Sequence, residues 1–185
     1  MATNLLVRPI KRPISWADLK LMLFDCDGVL TDGRIIYGND GEDIKHFNAH
    51  DGMGFHLLKY TDIKIGFVTG RSSQALERRC KDMSCELLFQ GVANKLRCVE
   101  EFLPKLGLDF RNVIYMGDDW NDVPLMRKAA LSAAPADAEK DVLKIVDWTS
   151  GFKGGHGAVR DLINHVLHHK GIYDKTILRY LESIN

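Results

Sequence analysis

The chain has 185 residues, of which 45% are hydrophobic and 27% are charged, as is ordinary for one globular domain. Lysine plus arginine and aspartate plus glutamate both number 25, so no net charge favours nucleic acid or an anionic membrane as a partner. The apolar run at residues 5–7 is too short for a signal peptide, and no segment approaches transmembrane length. We therefore expect one cytoplasmic domain over residues 1–185.

The first strong signal is a short apolar run at residues 21–24, which predicts a buried parallel strand. The run ends at Asp25 and Asp27, and Gly28 lets the chain turn so that both carboxylates reach one pocket. Two carboxylates held together repel each other unless a cation lies between them. The pattern predicts a site for a hard divalent metal, with Mg²⁺ the most consistent choice. Cys26 lies between two acids, which disfavours a reactive thiolate, so we expect a buried apolar residue.

The following segments alternate between strand and helix patterns. An Asp-Gly turn between two β-prone runs predicts a hairpin flap over about residues 34–47. Residues 51–54 predict a glycine-rich joint that leads into a helix, and Ser72 is expected to cap the next helix. Further strands are predicted at residues 64–68, 86–89, 112–116, 131–134 and 145–148. The alternation predicts an α/β fold: a doubly wound, Rossmann-like parallel sheet with helices on both faces, the hairpin flap and no cap domain.

Polar side chains follow three of the later strands. Thr69, Gly70 and Arg71 combine a hydroxyl, a turn and a guanidinium, which suits a phosphate seat but also describes a common turn. Lys95 lies near the start of a predicted helix, where a single lysine is by far most often a solvated surface residue. The acidic run after residue 116 either caps a helix or completes a metal site; it contains Asp118, Asp119 and Asp122.

Together these groups resemble the four motifs of the haloacid dehalogenase superfamily: DxDGxxT, a threonine, a lysine and GDDxxD. The resemblance implies that Asp25 is a nucleophile and that Asp27 is a general acid and base. Phosphate would be bound by Thr69, Gly70 and Lys95. The metal would be held by Asp25, the backbone carbonyl of Asp27, and Asp118. By the same resemblance, Asp119 and Asp122 would orient Lys95 or metal-bound water.

Further pieces, including residues 27–33, 47–48, 69–71 and 157–160, resemble the 3-deoxy-D-manno-octulosonate 8-phosphate phosphatase family. That resemblance implies hydrolysis of a small phosphorylated acid sugar, with no nucleic acid or membrane partner. It also implies a homotetramer in which the hairpins gather centrally and a neighbour helps close each site. The implied substrate contacts are Asn48, Ala49, His50, Asp51, Gly52, His56, Arg71, Arg79 and Asn121.

Three questions have alternative answers: the role of two histidines, the substrate and the class of protein. Bacterial members commonly have arginine where this chain has His50 and His56, so these histidines either contact the substrate carboxylate or simply occupy the joint before the helix. A nine-carbon acid-sugar 9-phosphate is the alternative substrate, although relatives of that kind tend to have an acidic residue where Arg71 stands. A non-catalytic oligomerisation module is the alternative of another class, and the retained aspartates argue against it.

Overall fold

The computed structural model describes residues 13–39, 43–85 and 87–185. The apolar run at residues 5–7, the Asp-Gly turn of the hairpin and the first residue of the strand predicted at 86–89 lie outside these ranges. Within them, no helix combines the length and apolarity that crossing a bilayer requires.

A six-stranded sheet forms the centre of the molecule, and all of its strand pairs are parallel. The order is β5-β4-β1-β6-β7-β8, so the first strand lies in the middle and the chain winds outward on one side and then on the other. A two-stranded antiparallel hairpin, β2 and β3, lies apart from it. The strands are β1 (Leu21–Phe24), β2 (Ile36–Tyr37), β3 (Asp43–Ile44), β4 (Lys64–Val68), β5 (Leu87–Phe89), β6 (Val113–Met116), β7 (Leu131–Ala134) and β8 (Trp148–Thr149).

Helices cover both faces of this sheet, as predicted. On one face, the rings of Phe24, Phe55 and Phe67 pack with centroids 5.3–6.0 Å apart, beneath the buried side of α6. On the other face, Tyr115 and Val99 belong to a second buried cluster. The helices are α1 (Ala49–Leu58), α2 (Gln74–Asp82), α3 (Lys95–Phe102), α4 (Val123–Met126), α5 (Lys140–Ile145), α6 (Ala158–His169) and α7 (Tyr173–Ser183).

The winding order determines where a site can form. Because β1 pairs with β4 on one side and β6 on the other, the carboxyl ends of these three strands adjoin one another. The chain direction across the sheet reverses at this point, which is where open α/β sheets bind ligands. The segments that follow β1, β4 and β6 are those that carry the predicted aspartates and threonine.

The predicted glycine-rich joint is wrong, because α1 already begins at Ala49 and includes both glycines. Asn48 caps this helix by accepting a hydrogen bond from the His50 N–H at 2.7 Å. A methyl group at Gly54 would lie 2.9 Å from Cδ1 of Ile163, so this glycine permits α1 to pack closely on α6. Close helix packing explains its presence.

Two other boundaries differ from the prediction. Ser73, not Ser72, caps α2, since its hydroxyl accepts from the Leu76 N–H. Of the segment predicted as a strand at 145–148, Ile145 instead ends α5, where it is buried on the same face as Val142. The strand begins only at Trp148, where it pairs with β7.

Candidate active site

Asp25 is held rigidly at the end of β1. Its backbone N–H donates to the Met116 carbonyl at 3.0 Å, which continues the β1–β6 pairing. Its side chain is buried: Oδ1 accepts from the Cys26 N–H at 2.7 Å, and Oδ2 lies 2.8 Å from Nζ of Lys95. This carboxylate therefore has one orientation, fixed from both sides.

The turn after Asp25 directs Asp27 to the same cavity. Gly28 makes the turn with φ at +90°, in the region that favours glycine. A methyl group there would also lie 2.0 Å from Oδ2 of Asp118, so the position admits no side chain without displacing that carboxylate. Cys26, between the two aspartates, is buried, and its burial raises the pKa of the thiol well above the ordinary range. The expectation of an inert, buried cysteine agrees with this environment.

Asp122 connects Lys95 to the loop after β6. Its Oδ1 accepts from Nζ of Lys95 at 2.6 Å and from the Tyr115 hydroxyl at 2.5 Å. Its Oδ2 accepts from the N–H groups of Asp118 at 2.9 Å and Asp119 at 3.3 Å. Four donors occupy the oxygens of this fully buried carboxylate. The arrangement suits the predicted supporting role better than direct metal binding.

The carboxylates at this end of the sheet lie close enough together to hold a cation. Oxygens of Asp25, Asp118 and Asp122 lie within 4.8 Å of one another. Burial and the nearby Asp122 raise the pKa of Asp118 to about 8, and the same causes raise the pKa of Asp25 to about 6 despite the opposing effect of Lys95. Hard oxygen ligands with excess negative charge fit a divalent cation such as Mg²⁺.

These shifts predict a pH-dependent stability in the metal-free protein. Because the folded state raises the pKa of Asp118 from 3.8 to about 8, it favours the protonated form. The contribution of this pKa difference to the free energy of unfolding is fully present below pH 3.8 and is lost as the pH rises through about 8. We expect urea unfolding in EDTA to show lower stability at pH 8 than at pH 5, and added Mg²⁺ to restore stability at pH 8.

Asp118→Asn is the control for this experiment. The variant removes the titrating group, so both the loss between pH 5 and 8 and the response to Mg²⁺ should shrink. An undiminished pH dependence in Asp118→Asn would show that other groups cause it.

A cavity of about 250 Å³ opens at the carboxyl edge of the sheet. Thr69, which is 2% exposed, is fixed beside it by two backbone hydrogen bonds. Its N–H donates to the carbonyl of Phe89 at the end of β5, and its carbonyl accepts from the N–H of Val92 in the loop that follows. The structure thus brings most of the predicted chemistry together. The residues lining the cavity are Asp25, Asp27, Gly33, Thr69, Gly70, Arg71, Asp118, Asp119 and Asn121.

The other predicted substrate contacts lie around the start of α1 and are not among the residues that line this cavity. Asn48 donates to the Gly155 carbonyl, and its own carbonyl accepts from Arg79 at 3.1 Å. Asp51 is buried and accepts from the Arg160 N–H at 2.8 Å. Gly52 lies against the Arg79 guanidinium, and Ala49, His50 and His56 are exposed. Within one chain these residues form a separate group, and their substrate contacts remain predictions.

The hairpin contributes charged residues that the sequence reading missed. Lys45 donates to Oδ1 of Asp27, and Arg71 lies 3.7 Å from Oδ2 of the same carboxylate. Arg71 also donates to the Tyr37 hydroxyl at 3.2 Å and lies 3.8 Å from Asp43. The spacing of Asp43 and Lys45 could have indicated that both side chains face the site, because alternate residues of a strand point to the same side.

A glycine loop packs directly beneath the Asp27 turn. Gly155 donates to the Val29 carbonyl at 3.0 Å, and a methyl group at Gly154 would lie 1.9 Å from the Gly28 carbonyl oxygen. We expect Gly154→Ala to destabilise the fold by about 1–3 kcal/mol, because backbone faces backbone and neither can yield. Gly151→Ala is the matched control, since nothing lies within 4 Å of its added methyl group. Equal urea midpoints for the two variants would contradict the prediction.

The fold agrees with comparisons to known proteins. A family model described as haloacid dehalogenase-like hydrolase matches residues 79–162. The 3-deoxy-D-manno-octulosonate 8-phosphate phosphatase KdsC of Escherichia coli strain K12 is 39% identical over 158 residues, covering 85% of this chain and 84% of the relative. The chain belongs to this phosphatase family.

Solved structures give the same result. The crystal structure of the phosphatase from Yersinia pestis superposes with a TM-score of 0.83 at 37% identity, covering 86% of each chain. The enzyme from Moraxella catarrhalis has a TM-score of 0.85 at 32% identity, covering 89% of this chain and 95% of that one. Its structure contains a magnesium ion, a phosphate ion and a 3-deoxy-D-manno-octulosonate (KDO) molecule.

Proposed function

We propose that this protein is a magnesium-dependent phosphatase that hydrolyses 3-deoxy-D-manno-octulosonate 8-phosphate to KDO and phosphate. One observation carries the proposal: side chains from the ends of β1, β4 and β6 line one cavity, and the lysine that follows β5 pairs with Asp25 beside it. The family relationship supports the substrate, as does the acid sugar bound to the Moraxella catarrhalis enzyme.

In the first step, Asp25 attacks the phosphorus through a carboxylate oxygen. The bond between phosphorus and the sugar oxygen breaks, and an aspartyl-phosphate forms. Asp27 donates a proton to the departing sugar oxygen. In the second step, water attacks the phosphorus of the aspartyl-phosphate, Asp27 accepts a proton from that water, and phosphate is released with Asp25 regenerated.

The surrounding groups neutralise the transferred phosphoryl group. Lys95 is held beside Asp25 by Asp122, so its ammonium is already in place when negative charge develops. Thr69 offers its hydroxyl at the cavity wall. Magnesium held by Asp25, the carbonyl of Asp27 and Asp118 would supply electrostatic stabilisation of the phosphoryl oxygens.

Arg71 and Asn121, both at the cavity, are the proposed contacts to the acid sugar. A guanidinium binds a carboxylate with two parallel hydrogen bonds, which suits a substrate with an acid group. Arg71 is held by Tyr37 of the hairpin, so the flap helps to position it. The group at the start of α1, with Arg79 and the two histidines, is proposed to contact substrate bound to a neighbouring subunit.

The proposal includes a homotetramer in the cytoplasm. The hairpin turns apolar side chains outward, and Ile35, Ile36, Tyr37 and Ile44 are all exposed. A cluster of exposed apolar side chains on a small flap suits a subunit interface. We expect Ile44→Asp to dissociate the assembly in analytical ultracentrifugation, with an unchanged circular dichroism spectrum. A tetramer that persists in this variant would place the interface elsewhere.

The deciding experiment measures phosphate release from a panel of esters, with Mg²⁺ and with EDTA. We expect the eight-carbon acid-sugar 8-phosphate to be preferred over a nine-carbon acid-sugar 9-phosphate and over glucose 6-phosphate, and EDTA to abolish the activity. Preference for the nine-carbon ester would support the proposed mechanism but show that the substrate is a nine-carbon acid-sugar phosphate. No release from any ester by folded protein would contradict the proposal and favour a non-catalytic module.

A further inference from the structure

The hairpin presents opposite chemistry on its two sides. While Ile44 is exposed, Asp43 and Lys45 on either side of it are turned inward, toward Asp27. The Lys45 side chain is only 3% exposed and the Asp27 side chain 18%. The ammonium contacts Oδ1 of Asp27 directly and lies 3.8 Å from Oδ2 of Asp43. An ion pair thus joins the flap to Asp27, two residues after Asp25.

Burial makes this contact specific. A buried ammonium is costly unless an anion pairs with it, so Lys45 has a strong preference for the position beside Asp27. Asp43 reinforces that position, because both of its carboxylate oxygens are buried without a hydrogen-bond partner and act on Lys45 and Arg71 through charge alone.

The contact also decides which oxygen of Asp27 is engaged. Lys45 takes Oδ1, whereas Oδ2 points toward Nε of Arg71 at 3.7 Å, a distance at which no hydrogen bond forms. Removing Lys45 would free the carboxylate to rotate onto Arg71, which has an unpartnered buried Nε–H. Asp27 would then no longer be aimed at the leaving oxygen.

We propose that Lys45 is a positioning residue that holds the Asp27 carboxylate in line with the leaving oxygen of the substrate. This inference rests on the proposed function and adds a residue that acts through Asp27 without touching the phosphoryl group. The positioning role makes one distinctive prediction. Loss of Lys45 should lower kcat/KM most for esters whose leaving group must be protonated as it departs.

The test compares two leaving groups. A sugar alkoxide requires protonation as it departs, whereas p-nitrophenolate leaves without it, and kcat/KM reports the step in which each departs. We expect Lys45→Met to lower kcat/KM for the acid-sugar phosphate by about 10²-fold and that for p-nitrophenyl phosphate by less than about tenfold. Lys45→Arg, which keeps a cation, should recover most of the loss.

Arg34→Met is the matched control, because Arg34 is an exposed cation beside the same hairpin that pairs with Asp32. It should leave both esters unchanged. Lys45→Gln, which keeps a donor without the charge, provides the comparison if Lys45→Met does not fold. If Lys45→Met lowers kcat/KM equally for both esters while the wild-type enzyme is active, the positioning role is overturned and the proposed function stands. A wild-type enzyme that is inactive on both esters would contradict the proposed function itself.

Discussion

Asp25→Asn is expected to lower kcat for the acid-sugar phosphate by about 10⁴-fold or more, because an amide cannot form the aspartyl-phosphate. The replacement has nearly the same shape, and Lys95 keeps its second partner Asp122 at 2.6 Å. Burial and Asp122 raise the pKa of Asp25 to about 6, so the charged form is disfavoured by the fold at pH 8. The neutral amide should therefore not lower the metal-free stability at that pH.

Phosphate release and urea unfolding, measured on the same preparation, separate the chemical role from a structural one. Asp62→Asn is the control, since Asp62 is an exposed carboxylate whose partner is Lys20. It should change neither quantity appreciably, as exposed ion pairs contribute little. Turnover by Asp25→Asn within tenfold of the wild type would exclude Asp25 as the nucleophile.

Lys95→Met is expected to impair both stability and catalysis. Lys95 is 3% exposed and lies between Asp25 at 2.8 Å and Asp122 at 2.6 Å. Removing the cation leaves buried carboxylates uncompensated, which costs about 3–5 kcal/mol in comparable buried pairs. It also removes a charge aimed at the phosphoryl group, for which we expect a loss of about 10²–10³-fold in kcat.

The two effects have separate measurements: the urea midpoint for stability, and phosphate release under conditions where the variant is folded. Lys144→Met serves as control, because Lys144 is exposed and pairs with Asp141 on a helix surface. It should change the free energy of unfolding, obtained from the urea curve, by less than about 1 kcal/mol. A Lys95→Met variant as stable as the control would show that the buried carboxylates accept protons without cost.

The sheet and the reactive centre were predictable from the sequence because local patterns encode them. Short apolar runs identified β1, β4, β6 and β7, and the polar residues that follow β1, β4 and β6 had to meet at one edge, since the carboxyl ends of parallel strands point the same way. The order of residues along the chain therefore places Asp25, Asp27 and Thr69 at one edge of the sheet. The roles proposed for them rest on residue type together with the family resemblance.

The supporting contacts could not be predicted in this way, because they join residues far apart in sequence. Lys45 reaches Asp27 across 18 positions, and no local pattern indicates that contact. The contact of Lys95 with Asp122, 27 positions apart, was expected only from the family resemblance. Gly54 looks locally like part of a joint before a helix, and only the approach of Ile163 shows that it permits close packing. Local periodicity thus determined which strands form and which acids they carry. The tertiary structure decided which cation holds each acid, because the energy of a buried charge depends on partners that only folding brings near.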